Sequence, residues 1–102
     1  MDNRLEFHEI LADILGSRNV YFQPPESLKL EYPAIIYSRN NIENRFADDD
    51  VYLQNHRYQV IVVDKDPDSI FVDAVSKLPT ARFDRHYTSD NLNHDVFTVF
   101  YK

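Results

Sequence analysis

The first hydrophobic pattern along the chain is helical. Apolar residues recur there at the spacing of one face of an α-helix: Phe7, Ile10, Leu11, Ile14 and Leu15. Gly16 follows directly, and glycine readily adopts the left-handed backbone conformation that ends many helices. The pattern therefore predicts a helix from Arg4 to Leu15.

Three stretches rich in β-branched and aromatic residues predict strands in the first two-thirds of the chain. They are Val20–Phe22, Tyr32–Ser38 and Tyr52–Asp64. Within the third, Val60–Val63 is apolar on both alternating faces, which is typical of a central strand covered on both sides. Pro33 has no amide proton, so it belongs at the start of its strand or on a sheet edge.

A second helix and a hairpin are predicted in the last third of the chain. Asp66 as N-cap and Pro67 at the first helical position mark a helix start, and Pro79 marks its end. The segments Thr80–Tyr87 and His94–Tyr101 alternate between apolar and polar residues, with polar turn residues between them. This pattern predicts a β-hairpin with a loop over residues 88–93.

The predicted elements follow the order α-β-β-β-α-β-β within a single domain of residues 1–102. This order is typical of the α+β class, and we expect a mainly antiparallel five-stranded sheet with two helices packed on one face. A chain of 102 residues suffices for one core and is too short for two. Residues of about 40–54 are mostly polar and predict a long arm between the second and third strands.

Composition excludes several classes of function. The chain has no cysteine, which excludes disulfides, thiolate metal sites and cysteine nucleophiles. It has one glycine, which excludes the glycine-rich loops that bind phosphates. The formal net charge of −6 argues against a surface built to hold a nucleic-acid backbone. Apolar runs are at most four residues long, so we expect no membrane span.

The histidines of the predicted hairpin are a candidate metal site. His86 and His94 flank the loop and could face each other across it, with Asp84, Asp90 and Asp95 nearby. A metal-dependent hydrolase that uses this pair is one alternative. The competing interpretation is a solvated hairpin whose polar residues fix its loop, because local geometry places only two ligands.

Two further patterns concern surfaces. Arg57, Arg82 and Arg85 are interleaved with aromatic residues, as in base-stacking proteins, but a half-exposed strand has the same pattern. The last predicted strand is apolar on both faces, with Phe97 on one and Phe100 on the other. Only one face meets the helices, so the other would be an apolar surface in water unless the arm or another chain covers it. We expect the protein to oligomerise through it.

Most of the chain, from about Tyr32 to Tyr101, resembles small virion proteins of tailed bacteriophages and prophages. The resemblance lies in residues 57–69 (RYQVIVVDKDPDS) with Leu78-Pro79, in the endings FDRHY (83–87) and DNLNHDVF (90–97), and in the strand YPAIIY (32–37). The group is that of the tail-completion proteins, which comprises tail terminators and related head–tail joining proteins.

This resemblance implies a ring-forming structural protein, typically a hexamer, with no catalytic residues and no cofactor. Such a ring caps the head-proximal end of the tail tube, stops the growth of the tube and contacts the head connector protein. DNA passes through it without specific binding. The implied location is the tail end of the virion, and the bacterial cytoplasm during assembly.

We expect the subunit contacts to use the sheet edges, the exposed aromatic face and the arm. The expected interface residues are Asn44, Arg45, Phe46, Tyr52, His86, Tyr87, Asn91, Asn93 and His94. Asp48, Asp49 and Asp50 are expected to line or overhang the channel, because an acidic lumen repels DNA phosphates. A monomeric prophage adaptor domain that binds one host protein is the remaining alternative.

Overall fold

The computed structural model describes residues 4–47 and 50–101, with side chains described over 4–39 and 57–101. The described residues form two helices and five strands: α1 (Arg4–Leu15), β1 (Val20–Phe22), β2 (Ala34–Ala47), β3 (Asp50–Asp64), α2 (Ile70–Ser76), β4 (Arg82–Ser89) and β5 (Leu92–Tyr101). The prediction of an α+β protein with five strands and two helices is confirmed.

The sheet is mixed, so the prediction of a mainly antiparallel sheet was wrong. Its strands lie in the order β1-β2-β3-β5-β4, which differs from their order along the chain. β1 runs parallel to β2, and the other neighbours are antiparallel. The connection of residues 23–33 makes the parallel pair possible, because it is long enough to return the chain to the end at which β1 began.

The first helix has the predicted bounds and the predicted end. Phe7, Leu11 and Leu15 are its buried residues, as the spacing of apolar positions predicts. Gly16 has a φ of 72°, and its amide donates to the carbonyl oxygen of Ala12 at 2.8 Å. The left-handed glycine therefore closes the helix and turns the chain toward β1.

The core lies between the helices and the middle of the sheet. β3 is the central strand, as predicted, and both its faces are buried: Val60 and Val62 face the helices, and Val63 lies on the other side. Tyr37 and Tyr58 are fully buried beside them. The whole core cluster consists of Phe7, Leu11, Leu15, Val20, Ile35, Tyr37, Tyr58, Val60, Val62, Val75, Phe97 and Val99.

The second helix begins later than predicted. Its N-cap is Ser69, whose side-chain oxygen accepts from the amide of Phe71 at 3.2 Å. The prediction that Asp66 caps this helix was wrong. The side chain of Asp66 instead accepts from the amide of Asp68 at 2.9 Å, which forms a turn ahead of the helix. The free amide of Phe71, in the first turn of the helix, is therefore capped by Ser69.

β2 and β3 extend further than the sequence predicts. Residues 41–47 pair with residues 50–57, and the last pair, Ala47 with Asp50, lies farthest from the other strands. β5 reaches only as far as His56, which pairs with Tyr101, so residues 50–55 have no pairing with β5. This part, the β2–β3 ribbon (residues 43–47 and 50–55), projects beyond the other strands by about 20 Å, at about 3.3 Å per residue.

Candidate interaction surfaces

The β4–β5 hairpin carries most of the described residues that the sequence suggested as functional. A two-residue turn closes it at Asp90 and Asn91, whose φ values of 53° and 64° suit a type I′ turn. The turn is shorter than the predicted loop because Ser89 already pairs with Leu92. Asn91 is therefore exposed at the turn, where a residue that tolerates positive φ is needed.

This turn places His86 and His94 on opposite faces of the sheet. His86 lies opposite Asp95, and His94 lies opposite Tyr87. The structure does not bring the two histidines face to face, because the turn sets a register one residue away from the one that would pair them. Among the described residues, no group of three or more potential metal ligands occurs. The hydrolase alternative therefore loses the pair of ligands on which it rested.

His86 pairs with a carboxylate on the helix-bearing face. Its Nδ1 lies 2.8 Å from Oδ1 of Asp95, and the side chains are 41% and 12% exposed, respectively. A carboxylate that is largely removed from water needs a polar partner, and the imidazole supplies one. The contact joins the outer strand β4 to β5.

His94 lies on the other face and stacks on Tyr87. Their ring centroids are 4.6 Å apart, with an angle of 11° between the planes. The Nδ1 of His94 donates to the carbonyl oxygen of Leu92 at 3.1 Å. The guanidinium of Arg85 lies 6.0 Å from the Tyr87 ring centroid. These side chains form a flat, partly exposed aromatic and cationic surface.

Asn93 has a structural contact that the sequence did not indicate. Its side-chain amide donates to the carbonyl oxygens of Asp64 at 3.3 Å and Lys65 at 3.2 Å. It thereby fastens β5 to the segment that leads into α2. A role for Asn93 in an interface stays a prediction.

The outer strand β4 is exposed along its whole length. All eight of its residues are exposed, and the apolar rings of Phe83 and Tyr87 are 56% and 39% exposed. It is the last strand in the sheet order, so within the described chain one side of its backbone has no strand partner. Such an edge can accept a strand from another chain unless charges or bulges prevent it. β4 carries both a bulge, between Phe83 and Arg85, and charged residues.

The β2–β3 ribbon contains the remaining predicted interface residues. Asn44, Arg45 and Phe46 lie on β2, and Tyr52 lies on β3. Their side chains lie outside the described residues, as does that of Asp50, the first residue of β3. Asp48 and Asp49 lie outside the described residues altogether. Their assignment to an interface or a channel stays a prediction.

Among the side chains that the structure describes, three arginines lie on the sheet face opposite the helices. They are Arg57 on β3 and Arg82 and Arg85 on β4. Their register partners on β5 are, in the same order, Phe100, Thr98 and Val96, which alternate with the helix-facing residues of β5. The sequence interleaves these arginines with aromatic residues, but only the register places all three on one face.

A polar cluster at the first turn of α1 was not predicted. The hydroxyl of Tyr37 lies 2.7 Å from Nδ1 of His8 and accepts from Arg4 at 3.3 Å. The hydroxyl of Tyr101 donates to the Glu6 carboxylate, and this hydrogen bond raises the pKa of Tyr101 above its ordinary value. No local spacing signals such contacts, because the partners lie 29 to 95 residues apart in sequence.

Comparisons with known proteins do not assign the chain. No protein-family model matches it, and no curated protein matches it. Within the part of the chain that the structure describes, no helix is long and apolar enough to cross a membrane.

Proposed function

We propose that the protein is a structural component of a tailed-phage virion that assembles with copies of itself into a ring at the head-proximal end of the tail. In this role it is a tail terminator or tail-completion protein. It caps the tail tube, joins it to the head connector and catalyses no reaction. The sequence resemblance to tail-completion proteins supports this assignment.

One structural observation supports the proposal best, namely that the two ends of the sheet differ. One end is the fully exposed strand β4. At the other end β1 covers only three residues of β2, and β2 continues into the β2–β3 ribbon. Contacts between unlike surfaces are heterologous, and when the rotation between copies closes, they generate rings.

The chemistry of the hairpin favours this proposal over the hydrolase. His86 is engaged by Asp95, and His94 stacks on Tyr87 on the opposite face. Each histidine has a contact that explains its place in the fold without a metal. Exposed Phe83 and Tyr87, one on each face of the edge strand, are the residue types that interfaces favour.

The test is the mass of the protein in solution, measured by light scattering across concentration, alone and with the tail-tube protein of the same phage. The proposal predicts a discrete oligomer under at least one of these conditions, and tube lengths that shorten as the protein is added. A protein that stays monomeric in both and leaves tube length unchanged would contradict it.

A further inference from the structure

The face opposite the helices has a charge that contrasts with the rest of the chain. Over the described part of β3, β5 and β4, this face carries Arg57, Arg82 and Arg85. The carboxylate found beside them is Asp84 at the bulge, which pairs with Arg85 at 3.0 Å. That pair is well exposed and contributes little on its own. The face is thus cationic in a protein whose formal net charge is −6.

The arginines are available to a partner. Arg82 and Arg85 are exposed. Arg57 is half-buried, and its Nε is buried without a hydrogen-bond partner. Beside these arginines lies the flat surface of Tyr87 stacked on His94.

The same chain contains a segment of the opposite sign. Residues 41–55, which include the β2–β3 ribbon, contain four carboxylates and a single arginine, and two of the carboxylates (Glu43 and Asp50) and the arginine (Arg45) lie on the ribbon itself. The ribbon projects beyond the other strands of its own sheet, as a contact with a neighbouring copy requires. Along the ribbon, Glu43 and Ala47, the register partner of Asp50, are four residues apart. On β5, the register partners of Arg57 and Arg85 are also four residues apart. Both spans are about 13 Å.

We propose that the arginine face (Arg57, Arg82 and Arg85) binds the acidic β2–β3 ribbon of a second copy of this chain. The inference rests on the proposed ring and names the two surfaces that form it. Because the two surfaces differ, each copy offers its ribbon to one neighbour and its arginine face to the other. This is the head-to-tail arrangement that closes a ring.

A nucleic acid is a less suitable occupant of this face. Binding to a phosphate backbone depends on many cations and on a positive field over the protein. This face has three arginines, but the whole chain has a formal net charge of −6. The negative field of the protein therefore repels a long polyanion as it approaches. A short acidic segment needs only the local charge.

A charge-exchange experiment tests the inference by analytical ultracentrifugation from about 1 μM to about 1 mM protein, at low salt where screening is weak. One variant reverses the face (Arg82→Glu with Arg85→Glu), and one reverses the ribbon (Glu43→Lys with Asp50→Lys). A third combines all four substitutions. The control, Arg18→Glu with Lys77→Glu, makes the same change in net charge as the face variant at exposed positions on neither surface.

The inference predicts that the wild type self-associates and that association weakens as salt is added. Each two-site reversal should weaken association by about tenfold or more, because like charges then meet. The four-site variant should recover most of the loss, and the control should associate like the wild type. Circular dichroism and thermal melting of each variant separate lost contact from lost fold.

Three results would overturn the inference. If the wild type associates and neither reversal weakens it, the contact lies elsewhere; the proposed ring survives, and assignment of Asp50 to the channel is favoured. If the wild type stays monomeric at low salt, the copies do not meet through charge, and the tube-protein assay still decides the proposed function. If the face reversal instead abolishes binding to labelled DNA without affecting self-association, the face is a nucleic-acid surface.

Discussion

Replacing Phe7 by leucine tests how the first helix is held on the sheet. Phe7 is 1% exposed, and its ring lies 4.8 Å from Tyr58 in a stacked arrangement. The ring centroids of Tyr101 and Tyr37 lie 5.1 and 5.6 Å away. Leucine keeps an apolar side chain in the site but removes all three ring contacts. The substitution therefore tests mainly the aromatic packing, with a smaller contribution from the lost side-chain volume.

The expected loss in the free energy of unfolding is about 2–3 kcal/mol. An aromatic pair contributes about 0.5–1.5 kcal/mol beyond its buried area, and the three pairs share one ring, so their contributions do not add fully. The smaller side chain also leaves a cavity that the neighbouring rings fill only in part. A loss of this size is a large fraction of the stability of a domain of this length.

Urea unfolding followed by circular dichroism measures this loss. With a denaturant slope of about 1–3 kcal/mol per molar urea, the midpoint should fall by about 0.7–3 M, with the slope unchanged. Leu5→Ala on the same helix is the matched control, because Leu5 is 68% exposed and should change stability by about 0.5 kcal/mol or less. If both variants lose the same small amount, α1 does not pack on the sheet as described.

Three further predictions concern the cap of α2, the Tyr101 hydroxyl and metal binding. Ser69→Ala should lower thermal stability by about 1 kcal/mol and Asp66→Ala by clearly less, because Ser69 accepts from the first turn of α2; equal losses in thermal melts would contradict this. Tyr101→Phe should be less stable than the wild type below pH 10, and the gap should close as pH rises through the raised pKa of Tyr101, where the hydroxyl ionises and no longer donates to Glu6; a gap that widens would refute the contact. Saturating zinc should leave the melting temperature unchanged, since a site that binds the folded state raises it.

The parts of the fold that were predictable are those in which a local pattern coincides with burial. The helix Arg4–Leu15 has one apolar face, and that face is the buried one. Val60–Val63 is apolar on both sides because β3 lies in the middle of the sheet. In these segments the period of the hydrophobic residues and the tertiary structure agree.

Other parts were not predictable because nonlocal contacts decide them. Residues 41–47 and 50–55 are mostly polar, so no alternation of buried and exposed residues reveals their pairing. The parallel course of β1 depends on the path of residues 23–33, which carry no signal for it. Asp66 and Ser69 are both good N-caps, and the choice between them depends on where the turn ahead of the helix ends.

At the β4–β5 hairpin, too, the sequence predicts the element but not the register that decides which residues face each other. The sequence correctly placed a hairpin between His86 and His94, but the length of its turn decides which residues face each other. One residue of register separates a pair of histidines on one face from the observed pairs, His86 with Asp95 and His94 with Tyr87. The bulge between Phe83 and Arg85 then sets which face Arg82 occupies. The arginine face therefore emerges only from the register.

Electron microscopy of tail tubes polymerised with the protein tests the central claim most directly. The account predicts a closed ring of the protein at one end of each tube, and tubes that stop growing once the ring is present. It also predicts that the Arg82→Glu, Arg85→Glu variant forms far fewer rings than the Arg18→Glu, Lys77→Glu control. Tubes that lack the protein at both ends and grow without limit in its presence would contradict the account.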